Sequence, residues 1–306
     1  SRRHGLLYAA CAVCVCIIPQ AVTIIRESAN MSVTVRIRQN SLFRKKLNFD
    51  DIIKLTDLSY GVCDENFRLM PNKTAEHTLI YDKNRLARGI DLSQDGADIV
   101  LMLNLPTSPS EIEKFYEVTE KICKKLKAKY YIREDEKVSL NDTDKFIECD
   151  KRGSAAGLQS IQKSIAENET EKFEMFGIYN PISIGIKEIT QIGNSIDNLE
   201  EYLHRLQSAD VYYAAPRVYR TEDKLIGIYA IAPDVLSVVP TTPYIVLNQI
   251  KGIDEWYVML SEGKTVKYED FIRNINPKEY YDADHVIVLL NGSDIIALTD
   301  KYSVGL

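Results

Sequence analysis

Between residues 77 and 105 the chain alternates apolar runs with turn signals at short intervals. The runs 77–82, 86–92 and 98–105 are strand-like, and Asp82-Lys83-Asn84 and Gln94-Asp95-Gly96 stand between them. Connections this short join neighbouring strands as hairpins, because a parallel crossover needs a dozen or more residues. The segment reads as an antiparallel meander, so the sheet of this chain is expected to be mainly antiparallel.

Other strands and helices extend the pattern. Val33, Val35 and Ile37 alternate with Thr34, Arg36 and Arg38, which predicts a strand over 33–39. Asn48-Phe49-Asp50-Asp51 opens a short helix with acids in its first turn. Ser108-Pro109-Ser110-Glu111 is a capping box with proline at the first helical position. Ile112, Phe115, Tyr116, Thr119, Ile122, Cys123 and Leu126 then share one helical face. Tyr130-Tyr131-Ile132 is the next strand. Residues 134–157 read as a polar connection with a short helix near 143–149, followed by a helix of Leu158, Ile161 and Ile165. Beyond it come strands at 173–178 and 182–187 and a helix capped by Asn194 or Ser195. Strands at 211–219 and 224–232 form a hairpin, prolines 233, 240 and 243 punctuate a loop, and a strand (256–260), a helix (267–275) and a strand (285–290) finish the chain. The fold class is α+β, with a mainly antiparallel sheet and helices packed on one side.

Two α+β halves are expected, 31–168 and 169–306, with the polar run Glu167–Glu171 between them. Tyr-Tyr opens a strand at Tyr130-Tyr131, Tyr212-Tyr213 and Tyr280-Tyr281, which raises an old duplication as one explanation and chance as the other. The unequal spacings exclude a repeat array.

Residues 1–30 form a separate leader. Residues 5–25 carry no charge, with Arg2, Arg3 and His4 before them and Arg26 and Glu27 after. A run of about 20 such residues is long enough to span a bilayer, and the basic flank would hold its N-terminal side in the cytoplasm. The preferred reading is different: Met31 is the expected start, and the leader is translated upstream DNA. Arg26-Glu27 can be encoded by purine-only codons resembling a ribosome-binding site, and Ser28, Ala29 and Asn30 form a plausible spacer. Leaving out Arg2, Arg3, Arg26 and Glu27 removes three positive charges and one negative, taking the formal charge from −6 to −8. Such an acidic body lacks the broad basic face of a nucleic-acid-binding protein, so no nucleic acid is expected as partner. Cys63, Cys123 and Cys149 are too few and too scattered for a disulfide framework, and they read as reduced thiols in a cytoplasmic protein.

No catalytic signature stands out. Asp282-Ala283-Asp284-His285 is the densest ligand-type cluster, but no zinc spacing surrounds it, so no metal or cofactor is expected. Lys151-Arg152-Gly153-Ser154 precedes a helix in this reading, where free amides and two cations would hold an anion; the plainer alternative is a capped helix. Arg36, Arg38, Arg44, Lys45 and Lys46 form the concentrated basic patch, a contact surface or simply a protected strand edge. The chain holds 18 tyrosines against 8 phenylalanines, which favours amphipathic contact surfaces. Tyr212, Tyr213 and Tyr219, with Arg217 and Arg220 on the same hairpin, are the expected partner-binding residues.

From Met31 to Leu306 the chain resembles an uncharacterised bacterial family of unknown function from Firmicutes. The residues carrying the resemblance are MSVTVRIRQNSLFRKKLNFDDI at the start and DVYYAAPRVYRTEDKLIGIYAIAPDV in the second half. It implies no activity and supports Met31 as the start. The expected function is that of a cytoplasmic binding protein with a protein partner, for example a partner-neutralising protein of the immunity type. The alternatives are an enzyme with dispersed residues, among them Asp282, Asp284, His285 or Cys63, and a membrane-anchored surface protein.

Overall fold

The computed structural model describes residues 32–39, 47–168, 170–221, 223–246, 250–261 and 263–305. The apolar leader, and Arg44, Lys45 and Lys46 of the basic patch, lie outside them. The chain divides into two compact units. The first runs up to Pro181 and takes in Ile189–Ser208; the second comprises Ile182–Glu188 and everything from Ala209. The division therefore falls later than residue 168, and a short segment belongs to the second unit while its flanks belong to the first.

In chain order the elements are β1 (Ser32–Ile37), α1 (Phe49–Thr56), β2 (Ser59–Cys63), β3 (Leu69–Pro71), β4 (His77–Tyr81), β5 (Ile90–Asp95), β6 (Asp98–Asn104), α2 (Pro109–Leu126), β7 (Tyr130–Arg133), β8 (Glu136–Ser139), α3 (Thr143–Ala166), β9 (Phe173–Phe176), β10 (Pro181–Ile184), α4 (Ile186–Ile192) and α5 (Ile196–Gln207). There follow β11 (Tyr212–Tyr213), β12 (Arg217–Arg220), β13 (Leu225–Ala230), β14 (Ser237–Pro240), β15 (Glu255–Ser261), β16 (Lys264–Lys267), α6 (Tyr268–Asn274), β17 (Glu279–Tyr280), β18 (His285–Val288), α7 (Gly292–Tyr302) and β19 (Ser303–Val304).

The first unit is built on one eight-stranded sheet in the order β3-β2-β4-β5-β6-β1-β7-β8. Every pairing in it is antiparallel, as the short turns require. Val33, Val35 and Ile37 point to the buried face of β1, against α1 and α2. Asn48 caps α1 and Ser108 caps α2, each accepting a backbone N–H three residues on. The face of α2 read from spacing is the one that packs on the sheet, with Ile112, Phe115, Tyr116, Thr119, Ile122 and Cys123 all fully buried. Each such aliphatic or aromatic side chain contributes about 1.5–3 kcal/mol relative to exposure.

Residues 134–157 depart from expectation. One helix, α3, runs unbroken from Thr143 to Ala166. Its propensity is poor because of Gly153 and Gly157, and packing compensates. Those positions face Leu105 and Pro106 across gaps of 3.5 and 3.4 Å from where a Cβ would stand. Between them Ser154 donates to Thr107 O and accepts from Thr107 N, at 2.6 and 2.8 Å. The strand expected at 86–92 begins only at Ile90, because the amides of Arg88 and Gly89 are taken by Glu111.

The second unit has a four-stranded sheet, β11-β14-β18-β17, and a five-stranded one, β12-β13-β15-β16-β19. Here β11 runs parallel to β14, and β13 parallel to β15. The strand orders of the two units do not repeat each other. Helices α6 and α7 pack with β15 and β16 around Tyr229, Val258, Leu260, Val266, Phe271 and Leu298. The stretch between prolines 233 and 243 contains a fully buried strand, β14, and the expected strand 211–219 breaks at Ala214–Pro216 into pieces that join different sheets. No helix among the described residues is long and apolar enough to cross a membrane.

Candidate functional site

Strand β12 is the outermost strand of the five-stranded sheet, paired on one side to β13. Proline at 216 ends the preceding loop, and Thr221 closes the hairpin by bonding Lys224. Arg217 stands opposite Ile228 and Tyr219 opposite Ile226. Arg217 and Arg220 are exposed, and Tyr219 is 46% exposed. Neither arginine forms an ion pair among the described residues, whereas the neighbouring Lys224 is engaged 2.7 Å from Glu255. This edge thus offers backbone hydrogen-bonding groups, an aromatic ring and two uncommitted cations.

Tyr212 and Tyr213 are not on that hairpin. They form β11 in the other sheet, which corrects the expectation that all five residues share one surface. Tyr212 is exposed, but Tyr213 is 7% exposed and turned inward. Its hydroxyl lies 2.9 Å from His285 Nε2 and 3.3 Å from the Tyr244 hydroxyl, which is itself 3.1 Å from Nε2. On the other side of the imidazole, Nδ1 is 2.7 Å from Asp282 Oδ1. A carboxylate on Nδ1 assigns the proton there and leaves Nε2 to accept from a tyrosine hydroxyl. Asp282 also accepts the amides of Asp284 and His285 on Oδ1 and that of Ser183 on Oδ2. Burial, with Tyr244 and Asp282 nearby, pushes the Tyr213 hydroxyl well above its ordinary range. The arrangement is that of an oriented base, but Asp282 and His285 are 0% and 1% exposed, so the imidazole meets its partners and not a solvent-borne reactant.

Residues 32–298 match the family model described as a domain of unknown function, DUF4299. The chain belongs to that family. No curated protein and no solved structure matches it.

The remaining sites expected in this DUF4299 chain are dispersed. Lys151, Arg152, Gly153 and Ser154 lie inside α3 and not before it, so their amides are engaged within the helix and the anion-site premise fails. Lys151 is held by Glu113 at 2.7 Å and Glu148 at 3.3 Å, and Ser154 is fully buried. Arg36 of the basic patch is paired 2.7 Å from Asp95, while Arg38 is exposed. No group of His, Cys, Asp and Glu among the described residues has the arrangement of a metal site. Asp284 accepts from Ser183 Oγ at 2.7 Å. Cys123 is buried, Cys63 half-buried and Cys149 exposed.

A second polar cluster was not anticipated. Glu111 is expected to complete the capping box of α2, yet its carboxylate points elsewhere. It accepts the amides of Gly89 at 2.6 Å and Arg88 at 3.1 Å, and the Thr107 hydroxyl. Gly89 sits at φ 82°, a conformation that favours glycine. Burial raises the Glu111 carboxyl above the ordinary glutamate range, with the Thr107, Gly89 and Arg88 hydrogen bonds acting the other way. The Arg88 guanidinium donates to the carbonyls of Phe176 and Pro106, at 3.2 and 3.1 Å. The sequence signal was present in Glu111 but pointed to the wrong partner.

Proposed function

We propose that this protein is a binding protein and that its contact element is the edge of β12. The observation supporting this reading is the set Arg217, Tyr219 and Arg220 on a strand edge that pairs with no strand, and whose arginines form no ion pair, among the described residues. Strand addition to such an edge supplies affinity through main-chain hydrogen bonds and specificity through alternate side chains. Tyrosine and arginine are the residue types that concentrate energy at interfaces. The protein acts in the cytoplasm, and a partner-neutralising role of the immunity type fits an edge that occupies a strand of its partner.

The test is a photocrosslinking residue at position 219 of the full chain, produced in its own organism, with exposed Glu269 substituted in the same way as the control. One protein captured from 219 and not from 269 should then bind the unmodified chain after purification, and Arg217→Glu/Arg220→Glu should abolish that binding. Equal capture from both positions, or binding unchanged in the double variant, overturns the reading.

A second reading, an enzyme, draws on the Asp282–His285–Tyr213 relay. His285→Gln tests it against any activity found: unchanged turnover in a folded variant removes it.

A further inference from the structure

We propose that the segment docking on β12 is an extended acidic peptide strand in which two carboxylates three residues apart bracket an apolar side chain. The inference rests on the docking reading above and deepens it.

The register within the sheet defines the faces. Val218 pairs with Gly227 and Gly227 with Trp256, whose ring packs on the core formed with α6 and α7. Side chains alternate along a strand, so Arg217 and Tyr219 project from the opposite face, and Arg220 from the same side as Val218. On the Arg217 face the cross-strand row continues through Ile228 and Tyr257 to Lys267. Lys267 is exposed and, like Arg217, makes no ion pair among the described residues. Cations therefore stand at both ends of that row, and a third, Arg220, stands on the other face of the edge.

A strand added outside β12 places one residue opposite each of its residues. The residues facing Arg217 and Arg220 are then three apart in the partner, whichever way it runs. Because their faces differ, two carboxylates at that spacing are matched at once, whereas a spacing of two matches one only. The residue facing Tyr219 meets a half-exposed ring beside the buried Ile226 and is apolar. In an antiparallel partner the order is acid, apolar, any, acid; in a parallel one it is acid, any, apolar, acid. The row of ladder groups along β12 asks for a peptide backbone, which a nucleic acid does not supply.

The experiment uses the full chain and short fluorescein-labelled peptides of Thr and Val carrying either Glu-Val-Thr-Glu or Glu-Thr-Val-Glu, read by fluorescence anisotropy. One of the two is expected to bind and to identify the strand direction. Moving the second Glu by one position should weaken binding about tenfold, and Arg217→Glu/Arg220→Glu should abolish it. The same double variant should bind the corresponding Lys peptide, which the parent chain rejects. Affinity indifferent to spacing, failure of the charge-swapped pair, or displacement of the peptide by oligothymidylate overturns the inference. A partner captured at position 219 that no acidic peptide displaces leaves the docking reading standing and removes this one. Loss of both capture and peptide binding removes both.

Discussion

Asp282 and His285 face each other at 2.7 Å with both side chains sealed from water. The carboxylate that orients the imidazole also gathers the amides of Ser183, Asp284 and His285. One side chain thereby fixes the turn before β18 and ties the Ile182–Glu188 segment into the second unit. Asp282→Ala leaves an imidazole N–H and the amides of Ser183 and Asp284 without their acceptor, while the His285 amide keeps the residue-282 carbonyl at 3.3 Å; the loss of one partner in a buried pair costs about 3–5 kcal/mol. Asp282→Asn keeps one carbonyl oxygen and should cost less. Urea unfolding followed by the fluorescence of Trp256, which lies in the same unit and is the chain's one tryptophan, measures both. A loss below about 1 kcal/mol for the alanine variant would mean the cluster is not a fastening.

Glu111 gives a pH-dependent prediction for the first unit. Burial disfavours its charged form and raises its carboxyl above the ordinary 4.5. A group raised in the fold contributes stability that is fully present below its unfolded value and lost as pH rises through its folded value. The stability of the parent chain minus that of Glu111→Gln should therefore fall as pH rises from about 4.5, the group's unfolded value. Below that pH Glu111→Ala should lose about 2–3 kcal/mol, because the Gly89 and Arg88 amides and the Thr107 hydroxyl lose their acceptor, and the loss should shrink as pH rises. Hydrogen exchange at residues 86–90, with and without the substitution, reads this locally. A difference independent of pH would show that the carboxyl is not perturbed by burial.

The fold class, the meander and α2 were legible because they rest on local signals: alternation, turn residues and a cap. The faces of α2 and of β1 could be assigned residue by residue. What escaped depends on partners distant in sequence. Gly153 and Gly157 fit the expected polar connection over 134–157 until Leu105 and Pro106 are brought against them inside one helix. Ser237–Pro240 resembles a proline-flanked loop until β18 and β11 pair on its two sides. For the candidate site, Arg217, Tyr219 and Arg220 were identified from residue type, but the break at Ala214–Pro216 that sends Tyr213 inward to His285 has no local marker beyond proline. Asp282 and His285 were seen as a cluster; that Tyr213 and Tyr244 complete it is a tertiary fact.

The cysteines separate by environment. Burial pushes the Cys123 thiol up to about 12, with Glu120 adding to the effect, so almost no thiolate forms near neutral pH. Cys149 is exposed on the surface of α3. Brief treatment with iodoacetamide at pH 8, followed by peptide mass mapping, should modify Cys149 and spare Cys123 until the chain is unfolded in urea. Labelling of Cys123 at the rate of Cys149 in the native chain would mean that α2 does not stay docked on its sheet.

Gly227 makes the last prediction because it is the contact that allows Trp256 to lie across β13. A Cβ at position 227 would stand 2.3 Å from two atoms of the Trp256 ring, closer than any real contact allows. The ring lies beside Tyr229, two residues beyond Gly227 along the same strand, at 6.0 Å between centroids, and Tyr229 in turn packs on Tyr268 at 5.1 Å, so displacing the ring disturbs that core. Gly227→Ala should therefore destabilise the second unit by about 1–3 kcal/mol, the range for overpacking a filled site. It should also red-shift Trp256 emission as the ring is displaced toward water, while hydrogen exchange in β1, β6 and α2 of the first unit stays unchanged. The same substitution tests the docking edge independently, because Val218 of β12 pairs directly with Gly227. If β12 is the contact element, the acidic peptide should bind the alanine variant more weakly even though Arg217 and Arg220 are intact. Unaltered emission and unaltered stability would show that β13 does not carry Trp256 against this glycine.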